Sequence, residues 1–296
     1  MGQSATVAET MHAAVLGSPI AHSKSPDMHR ALYEHLDLPI DYDRIEVTLD
    51  QAADFMASLP QRYGSTQRLV GFSVTMPLKN ALVPHMTTLS ERVERLGVLN
   101  TVVFDESGQT RGYNTDVDGI RLALMQAGYQ PSRGGTMAIL GAGGTATAAV
   151  AAAADMDLDA VVLYVRNAQR AAETSTVATR FGLAVEIKSL PEFVHESPTH
   201  QAVVATLPAH AADSLAEHLP HGPLPPLLDV IYDPWPTALA QAWRATGSAV
   251  ASGMDMLLYQ GVEQAKLFTH RLVDPESIDW RDATQRMANA LGLVKQ

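Results

Sequence analysis

Lys79 closes the stretch Gly71-Phe72-Ser73-Val74-Thr75-Met76-Pro77-Leu78-Lys79, in which an apolar run of strand type breaks at a proline. Proline cannot extend a strand but suits the first turn of a helix, so Thr75 is expected at the carboxyl end of a strand and Lys79 about one turn into the next helix. Open α/β sheets take their ligands at that edge, and an ammonium there can deliver a proton to an oxygen gaining negative charge. A solvated surface lysine is the plain alternative. Ser23 and Ser25 precede Pro26 and a helix with Met28, Leu32 and Leu36 at intervals of four, which predicts Ser25 as N-cap and Pro26 as first helical residue. The two hydroxyls read either as cap and loop groups or, beside unpaired helix N–H groups, as a site for a polyhydroxylated carboxylic acid. Asn100 lies among apolar neighbours, where an amide needs partners. Asp116 follows Asn114-Thr115 at the start of a helical run, as a helix-starting acid favoured by the dipole or as a functional carboxylate.

A second constellation is made by backbone. Residues 136–140 read as a strand, residues 147–154 as an alanine-rich helix, and between them lies Gly141-Ala142-Gly143-Gly144-Thr145-Ala146. A glycine turn in that setting lets a pyrophosphate approach the N–H groups of the helix start, and a small residue such as Ala146 allows close packing of helix on strand. The next strand, residues 160–165, ends where an Asp or Glu would bind the ribose 2′-hydroxyl of NAD. Arg166 stands there instead, followed by Asn167 and Arg170, and guanidinium groups suit the 2′-phosphate of NADP. The competing readings are a structural turn and ordinary surface arginines.

Positioning these residues requires more than one α/β unit. The chain has 296 residues, beyond the usual single domain of about 100 to 200. Strand-like runs at 11–16, 42–47 and 69–74 alternate with helices in the βαβ rhythm of a mainly parallel sheet, and residues 110–113 form the second arm of a hairpin turning at Glu106-Ser107-Gly108. A shift to Gly, Pro and Ser at 128–135 opens a new unit, with later strands at 202–205, 227–231 and 249–251. A long helix from Gly253 to about Leu272 and a final one over 280–293 are too little for a further domain and are expected to return to the first unit. The expected division is 1–117, 118–252 and 253–296.

Composition narrows the function classes. With 46% hydrophobic and 18% charged residues the chain is globular, and its net charge of −11 opposes binding to nucleic acid while tolerating a small anion in a local basic patch. The absence of cysteine excludes disulfides, thiolate catalysis and iron–sulfur clusters, and fits a reducing cytoplasm. The first ten residues lack the basic and apolar regions of a signal peptide, and no apolar run reaches about 18 residues, so no membrane association is expected. Asp155, Asp157 and Asp159 open like a calcium loop, but Ala160 replaces its glycine and Arg166 its bidentate acid. His218 and His221 share a proline-broken loop without a further ligand, so no metal is expected. Gly71-Phe72-Ser73 begins like a nucleophile elbow, yet Thr75 replaces the closing glycine.

In order, Gly17-Ser18-Pro19-Ile20-Ala21-His22-Ser23-Lys24-Ser25-Pro26, the segment from Ser73 to Lys79, Asn100-Thr101, Asn114-Thr115-Asp116, the glycine turn, Arg166 with Arg170, the segment from Tyr232 to Thr237 and that from Met256 to Gln260 resemble the shikimate dehydrogenase family along nearly the whole chain. The resemblance implies an α/β protein of two domains: an N-terminal, mainly parallel substrate domain and a Rossmann-type NADP-binding domain, with the C-terminal helices returning to the first. It implies reversible NADPH-dependent reduction of 3-dehydroshikimate to shikimate, a step of aromatic amino acid biosynthesis. Lys79 and Asp116 would be the catalytic pair, and Ser23, Ser25, Thr75, Asn100, Tyr232 and Gln260 would surround the substrate with them. Gly141, Ala142, Gly143, Gly144, Thr145, Ala146, Arg166, Arg170, Thr206, Val230, Gly253, Met256 and Glu91 would line the NADP side. The chain departs from the usual pattern at Ser73, where the family often has Asn, and at Leu99, Asp255 and Gly261. A cytoplasmic monomer or homodimer acting on a small molecule is expected. The alternatives are a quinate/shikimate dehydrogenase using NAD and a non-catalytic NADP-binding sensor.

Overall fold

The computed structural model describes residues 9–131 and 133–293. Backbone contacts divide the chain into two units, Met1–Asn114 with Gly261–Gln296, and Thr115–Gln260.

In the first unit β1 (Met11–Gly17), α1 (Ser25–His35), β2 (Ile40–Glu46), α2 (Ala52–Tyr63) and β3 (Leu69–Val74) keep the strand–helix rhythm of the sequence. β1 pairs in parallel with both β2 and β3. Beyond β3 come α3 (Leu78–Ala81), β4 (Thr88–Leu89), α4 (Glu91–Leu96), β5 (Thr101–Phe104) and β6 (Thr110–Tyr113), giving the sheet order β2-β1-β3-β5-β6-β4. β5 runs antiparallel to β3 and to β6, so the parallel expectation applies to the β2-β1-β3 side and to β4 with β6. β5 and β6 form the hairpin read from the sequence, whose turn, closed at Gly108 with φ of 80°, is too short for a crossover, whereas the antiparallel pairing of β5 with β3 departs from the parallel expectation. Phe72 and Val102 face each other across β3 and β5 and point into a core with Phe55 and Phe104. The Phe104 ring meets Phe72 edge-on at 5.3 Å. Alternation sends Gly71, Ser73 and Thr101 to the opposite face.

The second unit opens with α5 (Asp116–Gln126) and continues through β7 (Thr136–Leu140), α6 (Gly144–Asp155), β8 (Ala160–Val165), α7 (Ala172–Arg180), β9 (Ala184–Ser189), α8 (Phe193–Glu196), β10 (Ala202–Ala205), α9 (Asp213–Ala216), β11 (Leu227–Asp229), α10 (Ala238–Ala245) and β12 (Val250–Ser252). Every pairing is parallel, in the order β12-β11-β10-β7-β8-β9, which is the doubly wound order of dinucleotide-binding folds. The alanines of α6 are buried, except Ala154 at its end, and α5 packs against that helix. β9 is not among the strands expected from the sequence: it lies at the sheet edge, largely exposed, and its short alternation carries little apolar signal.

α11 (Gly253–Thr269) starts in the second unit and belongs to the first from Gly261 onward. Its start is a capping box: Ser252 N and Oγ donate to Asp255 Oδ2 at 2.9 and 2.7 Å, and Asp255 N donates to Ser252 Oγ at 3.3 Å. This accounts for the unusual Asp255. α12 (Trp280–Ala290) packs against α1, with His35 Nε2 2.9 Å from Asp282 Oδ2. At Gly261 a Cβ would overlap the Met28 methyl, so the small residue lets α11 approach α1 closely.

Candidate functional site

The order β2-β1-β3 reverses the direction of sheet growth at β1, so the crevice past the carboxyl ends of β1 and β3 is a switch point. Gly17 ends β1, and a Cβ there would sit 2.5 Å from Thr75 Cγ2 and 2.8 Å from the Met76 carbonyl. Ser18 N donates to Met76 O at 3.0 Å and Thr75 N to Leu16 O at 2.9 Å, so the two loops are stitched together. Lys79, half-buried in α3, is held against the next segment by Leu99 N donating to its carbonyl at 3.0 Å. Asn100 is buried beside it, its carbonyl accepting from Val74 N at 2.7 Å. Ser23, Ser25, Thr75, Lys79 and Asn100 therefore share one sheet edge.

Ser25 differs in detail from the expectation. It is the first residue of α1, with Lys24, whose side chain makes no capping bond, as N-cap and Pro26 following. The hydroxyl turns instead toward the phenol of Tyr42. Three residues that the motifs did not single out hold this edge. Arg44 donates from Nε and Nη2 to the Ser23 carbonyl at 2.9 and 2.7 Å and reaches Asp27 Oδ1 at 3.2 Å, fixing the serine loop. Tyr42 lies 2.5 Å from Ser73 Oγ, and Ser73 donates to Gln264 Oε1 at 2.7 Å. Gln264 Nε2 donates to the Asn100 carbonyl at 3.1 Å and to Thr101 Oγ1 at 3.0 Å. Gln264 could have been suspected only from its place one turn after Gln260; Arg44 and Tyr42 carry no local signal.

Burial governs the titration of this network. The Tyr42 phenol is pushed up by desolvation, only partly offset by its polar neighbours Ser73 and Ser25. His29 stacks on Tyr42 with ring centroids 4.4 Å apart, and its Nδ1 is 3.0 Å from the Tyr33 hydroxyl. Desolvation lowers its pKa to about 3, offset in part by Gln264, although its Nε2 makes no hydrogen bond of good geometry.

In the second unit the switch point lies past β7 and β10. Gly141 has φ of 112°, and a Cβ there would meet Thr206 Oγ1 at 2.6 Å, so Thr206 backs the glycine turn. Its hydroxyl donates to Leu140 O at 2.9 Å. Gly143 and Gly144 are exposed at the start of α6, and added Cβ atoms would meet nothing within 4 Å. The backbone there is open to a large anion, which fits a dinucleotide pyrophosphate. Ala142 and Thr145 are half-buried and Ala146 is buried under α6. Arg166 is exposed after β8, while the Arg170 side chain lies outside the described residues.

Val230 and Gly253 meet directly: a Cβ on Gly253 would overlap the Val230 carbonyl, and Gly253 N donates to Ile231 O at 3.2 Å. Met256 is buried, with its carbonyl 2.8 Å from a Cβ added to Gly119 of α5. Asp229, at the end of β11, accepts from Thr237 Oγ1 at 2.6 Å and Ile231 N at 3.2 Å; burial raises its pKa against both bonds. Asp116 is buried as the first residue of α5, Gln260 donates to Leu257 O at 2.9 Å, and Tyr232 is 44% exposed. Glu91 lies in the first unit, on the exposed first turn of α4, where it pairs with Arg95. Among the described residues no group of three or more His, Asp or Glu is arranged to hold a metal, and no helix is long and apolar enough to cross a membrane.

A doubly wound unit with a glycine turn at its switch point, in one chain with a mixed α/β unit that gathers hydroxyls, an amide and a lysine, defines a dinucleotide-binding protein of two units. A family model described as the shikimate dehydrogenase substrate binding domain matches residues 15–102. The shikimate dehydrogenase (NADP(+)) of Staphylococcus aureus strain Newman is 30% identical over 271 residues, 90% of this chain and 96% of that protein. The chain therefore belongs to the shikimate dehydrogenase family. It also matches the pentafunctional AROM polypeptide of Yarrowia lipolytica at 31% identity over 263 residues, 86% of this chain but only 16% of that polypeptide. The crystal structure of Mycobacterium tuberculosis shikimate dehydrogenase aligns with a TM-score of 0.78 at 36% identity, covering 95% of this chain and 99% of the other. That of Thermus thermophilus shikimate 5-dehydrogenase in complex with NADP(H) and shikimate aligns with a TM-score of 0.73 at 31% identity, covering 94% and 100%.

Proposed function

We propose that the chain catalyses the reversible NADPH-dependent reduction of 3-dehydroshikimate to shikimate, a step of aromatic amino acid biosynthesis, with the substrate held by the first unit and NADP by the second. The observation that carries this reading is the gathering of Ser23, Ser25, Thr75, Lys79 and Asn100 at the carboxyl edge of β1 and β3, within the span of the substrate-domain match. NADPH, when bound, supplies the hydride. The N–H groups of the Gly143–Gly144 helix start hold the pyrophosphate, Arg166 and Arg170 take the 2′-phosphate, and Thr206, Val230, Gly253 and Met256, with Glu91, line the cofactor.

Lys79 Nζ stabilises the negative charge that develops on the C3 oxygen and delivers its proton there. Asp116 orients the lysine and completes the proton route. Ser23, Ser25, Thr75, Asn100, Tyr232 and Gln260 bind and orient the polyhydroxylated acid, which turns a bimolecular encounter into a positioned reaction. The enzyme acts in the cytoplasm as a monomer or homodimer, without nucleic acid or membrane. An absorbance assay of the reduced nicotinamide, crossing shikimate and quinate with NADP and NAD, tests the reading. Shikimate with NADP is expected to be the best combination. No shikimate-dependent reduction of either cofactor overturns the assignment, and faster reduction of NAD overturns the part given to the arginines.

A further inference from the structure

One carbonyl settles the direction of every bond in the buried network behind the first unit's sheet edge. The Asn100 carbonyl can only accept, so the Gln264 nitrogen must face it and the Gln264 oxygen must face Ser73. Ser73 then gives its proton to Gln264, and the bond between Tyr42 and Ser73 has Tyr42 as donor. On the other side, the second Gln264 N–H goes to Thr101 Oγ1, which leaves the Thr101 hydroxyl proton for Asn100 Oδ1 at 2.8 Å. Ser73 and Thr101 are register partners across β3 and β5, so both point to the face covered by α11 and both reach the one glutamine. All five side chains are buried. An amide oxygen engaged by Thr101 turns its own nitrogen the other way.

We propose that Gln264 is a positioning residue: through Thr101 it fixes the side-chain amide of Asn100 with the oxygen inward, so that Asn100 meets the substrate as a hydrogen-bond donor. The short hydroxyl of Ser73 belongs to the same device, because it leaves room for the Gln264 amide and holds its oxygen. This deepens the reading of Asn100 as a substrate contact and rests on it.

The test is Thr101→Val, which removes the hydroxyl and keeps the shape, with Thr101→Ser as the conservative variant and Asn100→Ala as the reference. Thr101→Val is expected to raise the KM for shikimate about fivefold, the factor of one neutral hydrogen bond, with kcat and the KM for NADP within about twofold. Thr101→Ser is expected to stay within about twofold of the unaltered protein throughout. A large KM effect in Asn100→Ala with none in Thr101→Val overturns the inference and leaves the functional reading standing. No KM effect in Asn100→Ala overturns it as well. Should the unaltered protein not turn over shikimate, the functional reading fails, and proton exchange of the Asn100 side-chain amide, assigned by its loss from the NMR spectrum of Asn100→Ala, decides the positioning role. Faster exchange in Thr101→Val supports it, and equal rates overturn it. If Thr101→Val does not fold, Gln264→Met replaces it: a thioether keeps the length of the side chain and cannot donate to Thr101, so the same rise in KM is expected, and an unchanged KM overturns the proposal.

Discussion

The carboxyl edges of β1 with β3 and of β7 with β10 are the same topological position in two sheets, yet they are made of different material. At the first, the candidate groups are side chains, and the segments that carry them are held from behind: Arg44 on the Ser23 carbonyl, Leu99 on the Lys79 carbonyl, Gln264 and Thr101 on Asn100. At the second, the groups aimed outward are backbone N–H groups at Gly143 and Gly144, and what matters is the absence of side chains in front of them. A site of side chains can be tuned one substitution at a time, because each group has its own supporting bonds. A site of backbone depends on glycine and on the helix that presents it.

The largest effect should fall on the first edge alone. Lys79→Ala is expected to lower kcat about a thousandfold, the usual range for a lost general acid, while the dissociation constant for NADP measured by fluorescence titration stays within about twofold. Near-normal turnover would remove Lys79 from the chemistry. Gly143→Val is the converse: nothing lies within 4 Å of the added Cβ and φ is −94°, so the melting temperature should hold while NADP binding weakens by about tenfold or more. A lowered melting temperature with normal NADP affinity would mean that the turn is structural. Arg166→Ala should reduce the preference for NADP over NAD by about tenfold, as expected for an exposed, charge-assisted hydrogen bond, leaving the KM for shikimate unchanged; an unaltered cofactor ratio would assign the preference elsewhere.

A last effect separates the two units by pH. Folded His29 titrates at about 3, whereas the unfolded chain takes up that proton near 6.5. Between those values the unfolded state binds the extra proton, so stability falls as pH falls from about 6.5 to 3, by up to about 1.4 kcal/mol per pH unit from this residue. Denaturant melts of His29→Gln over that range should show a shallower loss. An identical slope would remove His29 as the source.

What could be read from the sequence divides along the same line. The glycine turn was legible because a φ of 112° at Gly141 and a close approach at Gly253 each demand one residue type at one place. Strands such as β7, β8 and β10 were legible because they are buried on both faces and appear as unbroken apolar runs. β9 was hidden by its exposure at the edge; the hairpin of β5 and β6 was legible in its turn, but the antiparallel pairing of β5 with β3, across a long connection, was not. Lys79 and Asn100 were visible as candidates, but what holds them was not. Gln264 bonds to a serine 191 positions away, and Arg44 to a carbonyl 21 positions away, and no local periodicity encodes such a choice. Ser25 showed the reverse, a strong local cap signal overridden by a tertiary partner, Tyr42.

The face of α11 that lies along β3 also bears on the order in which the protein can be assembled. Gly261, Gln264 and Phe268 recur at helical spacing, with Phe268 seated where a Cβ on Gly71 would be, and just past the helix end Arg271 donates to the carbonyls of Leu69 and Phe104 at 3.2 and 3.0 Å. During synthesis every one of these groups leaves the ribosome after the whole second unit. Until then Ser73 and Thr101 lack the Gln264 amide that joins them, and Gly71 leaves a furrow in the sheet. The first unit is therefore first to be made and last to be finished, and a nascent chain stalled before Gly261 would carry an unsealed sheet face for a chaperone to shield.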